Sequence, residues 1–357
     1  MFKYRDEGTA KRILAAIEDM GIESKFMHVC GTHQDTIVRF GLEEMLGDAG
    51  ITIQQGPGCP VCVTTSKEIA DAITLADNGV TITAFGDMMR VPTSIGSLFD
   101  AKSRGADVRI VYSVEDAVKM AAEQSKPLVF VAVGFETTAP STAVPLRKEL
   151  PANFSIYSCH RVCPPVLKTV FDMGETKVNG LIMPGHVAVI TGYECFRPFS
   201  VMYDMPQVVA GFEPLDILMS CYMLTKQRFE ERAEVENEYT RLVKPDGNPV
   251  ARQLMDEAFE LVDRAWRGFP TIPKSALALK EEHAAHDACR VHADILATTP
   301  DVEEEAKGCR CGEVLRGIMK SEDCPLFGTA CRPADPKGPC MVSDEGSCNI
   351  AYKFRKV

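Results

Sequence analysis

The apolar positions of this chain fall into short blocks. Ile13, Leu14, Ile17 and Met20 recur at three- and four-residue intervals, a spacing that predicts a helix over residues 9–20. Beyond it the blocks take strand character: KFMHVC (25–30), ITIQQ (51–55), VTITAF (80–85), DVRIVYS (107–113), PLVFVAVGF (127–135), FSIYSC (154–159), GLIMPG (180–185) and QVVAGF (207–212). Helical stretches such as SKEIADAITLA and VEDAVKMAAEQ lie between most of them. Strands alternating with helices predict an α/β fold of parallel sheets with crossover helices.

The blocks also form two similar sets. GPGCPVCVTTSKEI after the second run parallels SCHRVCPPVLKTV after the sixth, with a Cys-Pro pair in each, at 59–60 and 163–164. AFGDMMRVPTSIG parallels MPGHVAVITGYE, and YSVEDAVKM and GFEPLDILM close the two sets. The expectation is two similar parallel-sheet α/β domains, residues 23–122 and 123–215. From Asp216 a long charged helix is predicted through LMSCYMLTKQRFEERAEVENEYTRLV, stopped by KPDGNP (244–249) and followed by a helix over QLMDEAFELVDRAWRG. Residues 216–357 are therefore expected to form a third domain, helical and irregular, with the N-terminal helix (1–22) packed on it.

Composition narrows the class. With 357 residues, 45% of them apolar and 25% charged, the chain is that of a soluble globular protein with more than one core. A net charge of −11 argues against nucleic acid or an anionic membrane as the main partner. The N-terminal stretch is acidic and helically spaced, unlike a signal peptide, and no apolar run approaches the length of a membrane span. A cytoplasmic location is expected. In a reducing compartment the fourteen cysteines read as ligands or redox thiols, with a few buried as small hydrophobes.

Binding groups in an open parallel sheet collect on loops at the strands' carboxyl ends, and the reactive residues of this chain stand there. Cys30-Gly31-Thr32-His33, with Thr36 one turn on, places a thiol and an imidazole at a strand-to-helix turn. The helix N-terminus is expected to lower the Cys30 pKa, making it a nucleophile or metal ligand; the alternative is a buried Cys beside a capping Thr or His. Gly56-Pro57-Gly58-Cys59-Pro60-Val61-Cys62 is a C-x-x-C turn, suited to a dithiol/disulfide pair or to half of a metal site. Glu136, Thr137 and Thr138, Cys159-His160-Arg161, Pro184-Gly185-His186 and Gly86-Asp87 supply polar groups to the same face and together suggest a polar cleft between the two α/β domains. Taken singly they are ordinary caps and structural histidines. His283 and His286 are spaced to share a metal but read as solvated surface residues.

Six cysteines crowd the last fifty residues: Cys309, Cys311, Cys324, Cys331, Cys340 and Cys348. Their segment is rich in Pro, Gly and Asp and too poor in apolar residues to build its own core. Four thiolates suit a [4Fe–4S] cluster, and four-cysteine zinc is the alternative. The spacing Cys324-x6-Cys331-x8-Cys340-x7-Cys348 lacks the short pairs that zinc sites favour. A phosphate-binding G-x4-G-K-[ST] loop is absent.

CGTHQDT, GPGCPVC, GDMMRVP, GFETTAP, MPGHVAVITG and CGEVLRGIMKSEDCPLFGTAC…PCMVSDEGSC resemble the HypD family of hydrogenase maturation factors along essentially the whole chain. The resemblance implies two similar α/β domains plus an iron–sulfur domain. It implies a scaffold and redox role in assembling the Fe(CN)2CO group of [NiFe] hydrogenases. Iron is then held between this protein and the small chaperone HypC, with Cys30 as a ligand and His33 beside it. Cyanide comes from the thiocyanate of HypE, made with HypF, and Cys59 and Cys62 act as a thiol-redox relay. Cys324, Cys331, Cys340 and Cys348 match the cluster region, although Cys311 lies in a shared motif and can displace one of them. The competing expectation is a [4Fe–4S]-dependent thiol–disulfide reductase acting on other proteins, which has no need of the CGTH turn or the Glu136 and Thr137 loop.

Overall fold

A computed structural model describes residues 5–354. The expected strand runs become β1 (Ser24–His28), β2 (Ile51–Gln55), β3 (Thr81–Ala84), β4 (Val108–Ile110), β5 (Leu128–Gly134), β6 (Phe154–His160), β7 (Gly180–Pro184) and β8 (Gln207–Ala210), joined by a short β9 (Val235–Asn237). One parallel sheet has the order β2-β1-β7-β8-β9, the other β4-β3-β5-β6. Every residue of β5 and β6 is buried, which accounts for runs such as LVFVAV with no polar alternation.

The two sequence sets are visible in this topology, but they are interleaved. With the strands of each set numbered one to four, each sheet reads 2-1-3-4, and each takes its first pair from one set and its second pair from the other. The expected contiguous domains, 23–122 and 123–215, therefore do not describe the sheets, since both segments contribute to each. Local similarity identifies a repeated unit but carries no information about which copies pair.

Beyond Asp216 the helices are shorter than the spacing predicts. Helix Pro214–Phe229 stops where Glu231 takes a left-handed φ of 51°, and the acidic stretch that follows supplies β9 with its buried Val235. Helix Pro249–Ala258 gives way to β10 (Phe259–Ala265), which pairs antiparallel with β11 (Thr271–Leu279). That hairpin is made with the next segment of the chain, and pairing overrides the helical spacing of QLMDEAFELVDRAWRG. The N-terminal helix, Glu7–Glu18, is capped by Asp6 and lies against helix Pro214–Phe229, its Ile13 and Ile17 in one apolar cluster with Leu218, Cys221 and Leu224. Among the described residues no helix is long and apolar enough to cross a membrane.

One buried ion pair ties the sheets' connections together. Arg161, just after β6, donates to Glu68 at 2.6 Å with neither side chain appreciably exposed. Glu68 also closes the capping box with Thr65 at the start of helix Ser66–Asp77.

Candidate functional site

The carboxyl ends of β1, β3, β5 and β7 face a cleft of about 290 Å³. Cys30, Thr32, Gly58, Pro60, Asp87, Thr137, Thr138, Cys163, His186 and Glu345 are among its lining residues. Cys30 stands at the N-cap of helix Gly31–Arg39, with the backbone N–H groups of Thr32 and His33 beside its sulfur. The expected lowering of its pKa does not occur. Loss of hydration around the sulfur, together with the Glu345 carboxylate, pushes the thiol up to about 11, outweighing the N–H donors. Cys30 is thus a thiol at rest and loses its proton only to a base or a metal.

The disulfide turn abuts this loop. The Gly31 N–H donates to the Gly58 carbonyl at 3.2 Å, and a Cβ on Gly58 would lie 2.2 Å from the Cys30 nitrogen, so only glycine permits the approach. Cys59 and Cys62 are joined as a disulfide, with Cα atoms 5.2 Å apart, at 4% and 0% exposure. Their helix, Pro60–Val63, presents Pro60 and Val61 to the cleft and packs on its other side against Cys311–Leu315 and Pro339–Met341 of the tail. The Arg267 N–H, from the β10–β11 turn, caps it at the Val63 carbonyl.

Several expected cleft residues point elsewhere. His33 is fully buried: its Nε2 lies 3.3 Å from the Ala210 carbonyl and its ring packs 4.9 Å from Phe212. Burial and the neighbouring His28 hold it at about 3, so it is neutral. Phe212 separates it from His186, whose ring stacks on the other side at 3.8 Å and does reach the cleft. Glu136 turns inward; its Oε1 accepts the Cys163 N–H at 2.9 Å, its Oε2 has no partner, and burial raises it to about 7. His160 bonds Thr142 and Arg161 bonds Glu68, both inside the protein. Side chains just after a strand alternate faces, so proximity in sequence to a cleft residue does not place a neighbour there. His286 Nδ1 donates to the Phe154 carbonyl at 2.8 Å, and His283 lies near Glu282, so the two do not form a metal pair.

The tail reaches back to the cleft. Thr32 donates to Glu345 at 3.4 Å, Ser343 donates to Asp87 at 2.9 Å, and Glu345 lies so close over Gly31 that a Cβ there would meet its own Cβ at 2.5 Å. Asp87 was expected at the cleft, whereas Glu345 was not picked out from the sequence, although the DEGSC motif carries it. Next to this contact, Cys309, Cys311, Cys324, Cys331, Cys340 and Cys348 line one small apolar cavity with Leu326, Phe327 and Met341. Cys311 Sγ lies 2.8 Å from Cys340 Sγ, and Cys340 also contacts Cys348. Cys311 therefore joins the four expected ligands at the cavity wall. Among the described residues no three His, Cys, Asp or Glu side chains converge on the position of a single metal ion. The thiols surround a space, and their softness and number suit an iron–sulfur cluster.

Two interleaved parallel sheets that enclose a thiol-bearing cleft, backed by a buried disulfide and a cysteine-lined cavity, define a class of cysteine-rich α/β protein. The chain belongs to the HypD family: the family model, described as the hydrogenase formation hypA family, matches residues 8–355. It is 49% identical to a putative hydrogenase expression/formation protein of Methanocaldococcus jannaschii over all of both chains. It is 42% identical to the hydrogenase maturation factor HypD2 of Bradyrhizobium diazoefficiens, over 99% of this chain and 97% of that one. It is 40% identical to the hydrogenase maturation factor HypD of Cupriavidus necator, over 99% and 96%. Hydrogenase maturation is thus the activity of its family.

Proposed function

We propose that the protein holds an iron atom at Cys30 while cyanide and CO are attached to it, in complex with HypC and with HypE as cyanide donor. The observation that carries this reading is the direct backbone contact between the Cys30 turn and the Cys59–Cys62 turn at one cleft. Iron is the substrate here. A thiolate is a fitting ligand for low-spin iron bearing cyanide and CO, and Thr137, Thr138 and His186, which line the same cleft, are the candidate donors to cyanide nitrogens.

Release of cyanide from a thiocyanate takes two electrons. As a dithiol, Cys59 and Cys62 supply both: their S–S bond forms, two protons leave, the donor's S–CN bond breaks, and its sulfur departs as a thiol while cyanide passes to iron. The disulfide form is then the state after transfer. Cys324, Cys331, Cys340 and Cys348, with Cys311 in contact, are the residues to hold a [4Fe–4S] cluster. Such a cluster supplies electrons singly when bound. Normal cyanide transfer by a Cys62→Ala variant would contradict the relay.

The test of the main reading is iron content in the complex copurified with HypC. One iron beyond the cluster is expected, and it is lost with Cys30→Ala. Retention of that iron in the variant would overturn the assignment.

A further inference from the structure

Cys163 has no part in the chemistry above, yet the fold gives it a particular place. The interleaved repeat makes β6 the counterpart of β2, and each ends in a Cys-Pro pair that starts a helix: Cys59-Pro60 before helix Pro60–Val63, and Cys163-Pro164 in helix Cys163–Asp172. Likewise β5 is the counterpart of β1, so Glu136, two residues beyond Gly134, stands where Cys30 stands two beyond His28. The strand registers agree, pairing His28 with Gln55 and Gly134 with His160.

The two copies differ in what they leave free. Cys59 is taken up in its disulfide, whereas Cys163 is a free thiol. Cys163 lines the same cleft as Cys30, from the other sheet. The Glu136 oxygen that holds the Cys163 N–H fixes the start of the helix, and its second oxygen is fully enclosed without a partner.

We propose that Cys30 and Cys163 form a two-thiol clamp across the cleft for one soft divalent metal ion. Binding releases one proton from each thiol and forms two metal–sulfur bonds, leaving a neutral site that joins the two sheets. Soft thiolates select thiophilic ions over Mg2+ or Ca2+, and within the proposed function that ion is the iron under assembly. The inference rests on Cys30 being an iron ligand, and the test separates the two claims.

The probe is 113Cd2+ added to the anaerobically purified full-length protein, followed by cadmium NMR, whose shift reports the number of thiolate ligands. The unsubstituted protein is expected to show a resonance in the two-thiolate range. Cys163→Ser should move it to the one-thiolate range and weaken binding by about tenfold or more. Cys163→Val, which keeps apolar packing at this buried position, should do the same, so a folding defect of the serine variant does not decide the result. An unchanged resonance in both Cys163 variants, with loss in Cys30→Ser, overturns the clamp and leaves Cys30 as a ligand. An unchanged resonance in Cys30→Ser overturns the reading of Cys30 itself, and the clamp with it.

Discussion

Replacing Arg161 by Met tests how the cleft is held together. Arg161 donates to Glu68 at 2.6 Å, to the Ala265 carbonyl at 3.1 Å and to the Cys159 carbonyl at 3.2 Å, and it is fully buried. It thereby ties helix Ser66–Asp77, which follows the disulfide helix, to β6 and to the β10–β11 hairpin. Without the cation, Glu68 is left as a buried carboxylate with only its Thr65 partners at 2.9 Å. Breaking such a pair costs about 3–5 kcal/mol, against about 0–1 kcal/mol for an exposed pair such as Arg104–Asp77. Urea unfolding should show a midpoint lowered accordingly in Arg161→Met and almost unmoved in Arg104→Ala. The double variant Arg161→Met/Glu68→Leu should recover most of the loss, since apolar replacement of both partners is close to neutral.

The same pair sets a pH dependence. Burial alone would raise the Glu68 pKa, but the Arg161 charge and hydrogen bond outweigh it and hold it below the ordinary carboxylate value. A depressed folded-state pKa contributes stability that is in place above the unfolded carboxylate value and is lost as pH falls through the folded one. Arg161→Met should weaken this acid-side dependence, leaving only the Arg264 charge and the Thr65 N–H to hold the Glu68 carboxylate down against burial. A loss below about 1 kcal/mol, or a double variant as unstable as the two single losses added together, would refute the reasoning.

Gly58→Ala forces a Cβ to within 2.2 Å of the Cys30 nitrogen, so it should destabilise the fold by about 1–3 kcal/mol and abolish cyanide transfer; thermal unfolding and transfer assays check both. Cys340→Ser, at a thiol touching both Cys311 and Cys348, should remove the visible absorption of an iron–sulfur chromophore from anaerobically purified protein. The exposed Cys289→Ser should leave that absorption intact.

Much of the sheet architecture can be read from the chain, because strands buried on both faces read as near-continuous apolar runs; the block ending in Gly134 is the clearest example. The exchange of strand pairs between the two repeats is a long-range choice with no local signature. The hairpin of β10 and β11 is hidden differently: the residues after Ala258 keep helical spacing, yet pair with Thr271–Leu279 across a short turn. At the site, the turns bearing Cys30 and Cys59 were legible from their glycines and cysteines. The inward turn of His33 and Glu136 was not, since motif membership does not tell which way a side chain faces. The Cys30 pKa went opposite to expectation because enclosure and Glu345, a residue more than three hundred positions away, outweigh the helix N-terminus. Placement of Glu345 over Gly31 is what brings the cysteine-rich tail to the opposite end of the chain.

The most direct measurement is infrared spectroscopy of the complex with HypC, purified after expression with the cyanide donor. Cyanide and CO stretching bands are expected from the native complex and should vanish with Cys30→Ala, while the Cys289→Ser complex keeps them. Bands of full intensity in the Cys30→Ala complex would contradict assembly of the iron group at this thiol.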